Sequence, residues 1–392
     1  MSEQEVYEDL IDWLRQSPVG LPESDALLPL MKATYTPEEA SLATGLPFEG
    51  KSLEELGELK QMDPADLRQR MDGMANKGLV FRIVVGDTIR YSLNDAFFVQ
   101  YRAAGWPGRT DERSTAIAPW ANRYYYHGAW DPFAHLSPKF ARTLPIQETI
   151  EDTREIQPYE EVARVLDQQD YFSVSVCPCK HRKNLDPDYD DCSYPTEVCL
   201  HFGPLGRYID ENGMGRRITR QEAEEILRKA AEAGLVHSVS NWQEGPDTVC
   251  NCDPCCCVFL EAFHKLKHAE GLTPSNYRVR VNRGTCIGCG LCVKRCPMYA
   301  LELQDAPEAR DRSTVVVDDE KGEKELKNKQ GKVSTVNKDH CIGCGVCVYK
   351  CPSKSLVLER KEALDHPPKD LLEYAQLALP QLAATRKQGK EG

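Results

Sequence analysis

Residues 286–297 read CIGCGLCVKRCP, and residues 341–352 read CIGCGVCVYKCP. Both follow C-x2-C-x2-C-x3-C-P, so the chain carries an internal repeat whose spacing decides how its C-terminal third is read. Three cysteines at three-residue intervals let one tight loop wrap three corners of a cubane iron–sulfur cluster. A fourth, offset by one residue and followed by proline, turns away to ligate a second cluster. Gly288, Gly290, Gly343 and Gly345 admit positive φ angles, which lets backbone N–H groups point at cluster sulfurs. A pair of zinc knuckles is the competing reading, but two copies of this spacing, each closed by Cys-Pro, select iron–sulfur.

These residues resemble the bacterial ferredoxins that hold two [4Fe–4S] clusters, over about residues 278–360. Carried over position by position, the resemblance implies that Cys286, Cys289, Cys292 and Cys351 hold one cluster, and Cys341, Cys344, Cys347 and Cys296 the other. Two adjacent clusters in one small domain make an electron relay. The charged segment 304–338 departs from a minimal ferredoxin and is expected to be a solvated insertion that leaves the cluster pair intact.

A chain of 392 residues with 41% apolar composition is long enough for two or three domains with buried cores, so its 17 cysteines are not required as disulfide staples. The sequence shows no leader with an apolar core and no apolar run of spanning length. The cytoplasm is therefore the expected location and reduced thiol the expected state. A net charge of −12 argues against a general nucleic-acid binder and suits a protein that docks with other proteins.

Nine cysteines remain: Cys177, Cys179, Cys192, Cys199, Cys250, Cys252, Cys255, Cys256 and Cys257. They are candidate ligands of a further iron–sulfur centre, with room for a second. Structural zinc and a metal-free dithiol pair such as Cys250 with Cys252 are the alternatives. Cys255, Cys256 and Cys257 fall at an expected helix start, before VFLEAFHKL, where adjacent thiols point in different directions. One or two of them are expected to ligate. His181 and His201 sit two residues after Cys179 and Cys199 and are weighed as ligands, with hydrogen bonding favoured; His237 reads as a core residue.

The whole chain resembles multi-cluster ferredoxin-like iron–sulfur proteins of anaerobic bacteria. The carriers of that resemblance are Cys177-Pro-Cys179, Cys199-Leu-His-Phe-Gly203, Gly234-Leu-Val-His237 and the knot at 250–257. In that family the knot often has cysteine where this chain has Asp253, which leaves one ligand position open.

The N-terminal region adds a separate module. Thr36-Pro-Glu-Glu39 and Asp63-Pro64 are helix starts, Gly78 is a helix stop, and LVFRIVV and TIRYSL flank a Gly86-Asp87 turn. Residues 25–94 thereby resemble a winged helix. Residues 1–100 carry nine Lys and Arg against eighteen Asp and Glu, so docking or a structural role is expected rather than DNA binding. The expected architecture is α+β and multidomain. It comprises a winged-helix-like domain (1–100), an aromatic-rich connecting segment (101–157), a cysteine-rich α+β middle domain (158–277), a dicluster ferredoxin-like domain (278–360) and a C-terminal helix and tail (361–392).

The function expected is electron transfer through two [4Fe–4S] clusters and at least one further centre, as subunit or redox partner of an anaerobic oxidoreductase. The alternatives are an iron–sulfur enzyme acting at the middle centre and a redox-sensing regulator working through the winged helix. No nucleotide fingerprint and no catalytic residue is legible.

Overall fold

The computed structural model describes residues 2–95, 98–154, 156–268, 271–318 and 322–388. The chain forms two compact units, neither contiguous in sequence: Met1–Pro138 with Asp170–Ala223 and Leu372–Gly392, and Lys139–Gln169 with Glu224–Leu371. The cysteine-rich segment 158–277 contributes to both.

The first unit opens with helices Glu3–Leu14, Leu27–Thr34, Pro37–Ala43, Leu53–Lys60 and Pro64–Asn76. The third starts at Thr36, whose hydroxyl accepts from Glu39 N while Glu39 returns a carboxylate to Thr36 N. The fifth is capped by Asp63 and stops before Gly78, whose φ is +75°. Two helices that sequence reading did not mark, Glu3–Leu14 and Leu53–Lys60, carry the same reciprocal signature, as Ser2 with Glu5 and Ser52 with Glu55. Strands Val80–Val85 and Thr88–Leu93 pair as an antiparallel hairpin, joined at its open edge by Lys51–Ser52.

This N-terminal layer is sealed by a later helix, Gly203–Glu211. Tyr208 is fully buried, donates its hydroxyl to Val80 O at 2.8 Å and packs its ring 4.4 Å from that of Phe81. The same part of the chain holds strands Phe172–Val176, Glu197–Phe202 and Arg216–Arg217, with Phe172–Val176 in the middle. Of the aromatic residues in the connecting segment, Tyr124, Tyr125 and Trp130 are buried and pack into the core. Helix Leu371–Gln388 returns to this unit, where Gln381 and Ser137 exchange hydrogen bonds through side chain and backbone. The tail after residue 388 lies outside the described residues.

In the second unit, Ala141–Thr143, Val236–Ser240 and Thr248–Cys252 pair antiparallel in that spatial order. Helix Arg220–Ala233 starts at the Thr219 capping box and stops at Gly234, with φ +93°. Its last carbonyls, of Ala231 and Glu232, accept from the guanidinium of Arg295, which also reaches Val346 O. One cation thus ties the helix C-terminus to both cysteine runs.

The two cysteine runs are closed by the antiparallel pair Tyr277–Val281 and Leu356–Arg360, the first and last strands of the ferredoxin-like region. Between them, the segment expected to be a solvated insertion is largely ordered pairing. Leu301–Asp305 pairs with Lys332–Val336, and Ser313–Asp318 with Gly322–Lys327; residues 319–321 lie outside the described residues. The outer hairpin is mostly exposed. The inner one is not: Ala306, Ala309 and Val333 bury with Cys286. The expectation of a wholly solvated insertion is corrected accordingly, because apolar residues at its base fold back onto the first cysteine loop.

Candidate functional site

Each cysteine run forms a loop followed by a short helix, Leu291–Arg295 or Val346–Tyr349, entered through a glycine in the left-handed region: Gly290 at φ +74° and Gly345 at φ +82°. At Gly343, φ +69°, a Cβ would collide with Tyr277 O and Ser275 Oγ, so the strand backbone approaches the second loop as closely as glycine allows. Ser275 fixes that loop further, accepting no slack: its N–H donates to Ile342 O at 3.0 Å and its hydroxyl to Gly343 O at 2.9 Å.

Two cavities result. One, of about 280 Å³, is lined by Cys286, Cys289, Cys292 and Cys351. The other, of about 310 Å³, is lined by Cys296, Cys341, Cys344 and Cys347. In each, three cysteines come from one run and the fourth from the other. Leu303, Ile287 and Leu356 wall the first, and Val279, Val336 and Ile342 the second. Soft sulfur donors in fours within apolar walls suit an iron–sulfur cubane and offer nothing to a hard cation.

The electrostatics agree. Burial pushes the thiols of Cys292, Cys296, Cys344 and Cys347 above the ordinary range, and neighbouring cysteines push in the same direction. For Cys292 those neighbours are Cys351, Cys286 and Cys289; for Cys344 they are Cys296 and Cys341. Clustered thiolates without a cation would repel one another in a poorly solvated site, and iron supplies the compensating charge.

Donors reach several sulfurs. Ala300 N–H donates to Cys296 Sγ at 3.2 Å and Ser334 N–H to Cys286 Sγ at 3.4 Å. Ser334 Oγ lies 3.3 Å from Cys292 Sγ, and Ser355 Oγ 3.5 Å from Cys351 Sγ. Sequence reasoning missed these serines. Ser334 sits in the segment taken for a solvated insertion, though the alternation KVSTV at 332–336 marks a strand with one face turned inward.

The other nine cysteines are distributed between the units. Cys177 caps helix Pro178–Asn184, Cys179 lies in its first turn, Cys192 donates its N–H to Asn184 Oδ1, and Cys199 is buried on Glu197–Phe202 opposite Ser175. In the second unit the knot divides. Cys252 lies in hydrogen-bonding contact with Cys250 and Cys257, and these contacts, with burial, push its thiol well up. Cys255 and Cys256 turn instead to Asp253: its Oδ1 accepts both of their N–H groups, at 3.0 and 2.7 Å, and the Cys255 thiol at 2.9 Å. One ligand atom from each of Asp253, Cys255 and Cys256 falls within 4.8 Å of the others. Asp253 therefore organises the turn through its carboxylate. Cys257 is the N-cap of Val258–His264, as the helix-start reading anticipates.

The histidines hydrogen-bond within the protein. His181 Nε2–H donates to Arg109 O at 2.8 Å, His201 Nε2 meets Ser175 Oγ at 2.9 Å, and His237 Nδ1–H donates to Asn251 Oδ1 at 2.6 Å. Burial holds all three below the usual imidazole range.

The fold and the paired four-cysteine cavities define an iron–sulfur protein with a dicluster domain. Residues 285–355 match the 4Fe-4S dicluster domain family. Ferredoxin-3 of Rhodobacter capsulatus is 33% identical over 79 residues, covering 20% of this chain and 76% of that protein. Ferredoxin-3 of Nostoc sp. is 33% identical over 72 residues, covering 18% of this chain and 67% of that protein. No solved structure matches the chain. Through its C-terminal domain the chain belongs to the [4Fe–4S] dicluster ferredoxin family, and that domain is an electron carrier with two [4Fe–4S] clusters. Among the described residues, no helix is long and apolar enough to cross a membrane.

Proposed function

We propose that Cys286, Cys289, Cys292 and Cys351 hold one cluster and Cys341, Cys344, Cys347 and Cys296 the other, in a multi-centre relay that serves as subunit or partner of an anaerobic oxidoreductase. The observation that carries this reading is the interleaving of the cavities, each completed by a cysteine of the opposite run. The clusters supply one-electron storage. Around them, burial of Cys344 and Cys347 excludes water, Ser334 and Ala300 donate to sulfur, and Arg295 holds the runs in register.

The remaining cysteines supply at least one further iron–sulfur centre, with the contiguous group Cys250, Cys252 and Cys257 as its nucleus. Cys177, Cys179, Cys192, Cys199, Cys255 and Cys256 complete the set of candidate ligands. The N-terminal module, four helices followed by a hairpin within 25–94, acts as an acidic, winged-helix-like docking element.

The test is iron and acid-labile sulfide analysis of anaerobically purified protein. About 12 iron atoms per chain supports one extra centre and about 16 supports two, whereas about 8 with stoichiometric zinc overturns the iron reading of the other cysteines. A mobility shift of the full chain with duplex DNA at physiological salt would favour the regulator instead.

A further inference from the structure

The two cavities differ in how they meet solvent. Of the eight cysteines lining them, Cys289 is exposed, while Cys344, Cys347 and Cys296 of the other cavity are buried. Beside Cys289, Leu291 leaves an apolar side chain 36% exposed, and Lys294, one helical turn on, is exposed on the same face. Arg283, in the turn that leads into Cys286, is exposed as well.

The charge of the segment that carries this rim, up to the exposed Glu302 and Asp305 of the strand beyond it, runs against that of the chain. Residues 278–301 carry five Lys and Arg and no Asp or Glu, in a protein of net charge −12. Three of the five have work elsewhere. Arg278 pairs with Glu359, Arg280 with Glu151 and Glu359, and Arg295 holds backbone carbonyls. Among the described residues, neither Arg283 nor Lys294 pairs with a carboxylate.

We infer that the rim formed by Arg283, Cys289, Leu291 and Lys294 is the port through which electrons enter or leave the relay, and that its occupant is a redox protein with an acidic docking face. The inference rests on the cluster assignment proposed above. An apolar contact beside the exposed ligand brings the partner's centre close. The unpaired cations select its charge and raise the encounter rate.

The experiment is stopped-flow electron exchange between the full-length protein and an acidic flavodoxin, at low and high ionic strength. The R283E/K294E double variant is compared with wild type and with Lys369→Glu, a charge reversal at an exposed residue that pairs with Glu244. Iron content and electron paramagnetic resonance of each protein are recorded first. The expected result is a rate at least tenfold lower in the double variant at low salt, converging with wild type at high salt, with Lys369→Glu within twofold of wild type. A double variant that matches Lys369→Glu, or a wild-type rate indifferent to salt, with both clusters intact, overturns the port. Absence of the clusters from wild type overturns the underlying assignment instead.

Discussion

Replacing Ser334 with alanine tests whether the inner hairpin tunes a cluster or merely covers it. With iron bound, the Cys292 thiolate carries no proton, so the Ser334 hydroxyl 3.3 Å away is the donor. The Ser334 N–H to Cys286 Sγ belongs to the backbone and survives the substitution. A hydrogen bond to sulfur favours the reduced, more negative cluster, so its loss lowers the potential. A net hydrogen bond is worth about 0.5–1.5 kcal/mol, and a one-electron couple converts about 1.4 kcal/mol to 59 mV, so the expected drop is about 20–60 mV. The assay is an anaerobic redox titration followed by electron paramagnetic resonance, with Ser334→Thr, which keeps the hydroxyl, as the comparison. No shift in Ser334→Ala, an equal shift in Ser334→Thr, or a shift confined to the other cluster would refute the reasoning.

Three further outcomes are expected. Cys351→Ala and Cys292→Ala, though distant in sequence, should abolish the same resonance signal and each remove about four iron atoms, while Cys347→Ala removes the other signal; a Cys351→Ala protein that behaves like Cys347→Ala would break the interleaving. Gly343→Ala should cost about 1–3 kcal/mol and strip the cluster bounded by Cys344, because its Cβ has no space at φ +69°, whereas Gly290→Ala, whose Cβ meets only the end of Leu303 at 3.3 Å, should retain iron; equal iron content and melting temperature in the two would contradict the close approach. Burial holds the His237 imidazole below its ordinary pKa of 6.5, so the unfolded chain binds a proton that the folded chain refuses. The stability this residue contributes is present above pH 6.5 and lost as pH falls toward the folded value, and melting curves at pH 7.5 and 5.5 should show a smaller drop in His237→Gln than in wild type.

What the sequence determined by itself was local. The repeated cysteine spacing specified the cluster loops, since a cubane's ligand geometry is met within one short turn. The capping pairs at Thr36 and Thr219, and the stops at Gly78 and Gly234, likewise depend on hydrogen bonds three or four residues long. The same local rule was present at Ser2 and Ser52, where it was overlooked.

The tertiary structure alone decided which distant groups meet. Nothing in Ser334 or Ser355 announces a sulfur neighbour; strand pairing across the inner hairpin and the closing strand puts them there. Nor does Tyr208 announce that it seals the N-terminal hairpin through Val80. The knot at 250–257 shows both sides. Its adjacent thiols had to diverge, because neighbouring residues point apart, but only the fold of Thr248–Cys252 against the cap of Val258–His264 brings Cys257 to Cys252 and leaves Cys255 and Cys256 to Asp253. Backbone direction is written residue by residue, whereas proximity between distant residues is the sum of every turn between them.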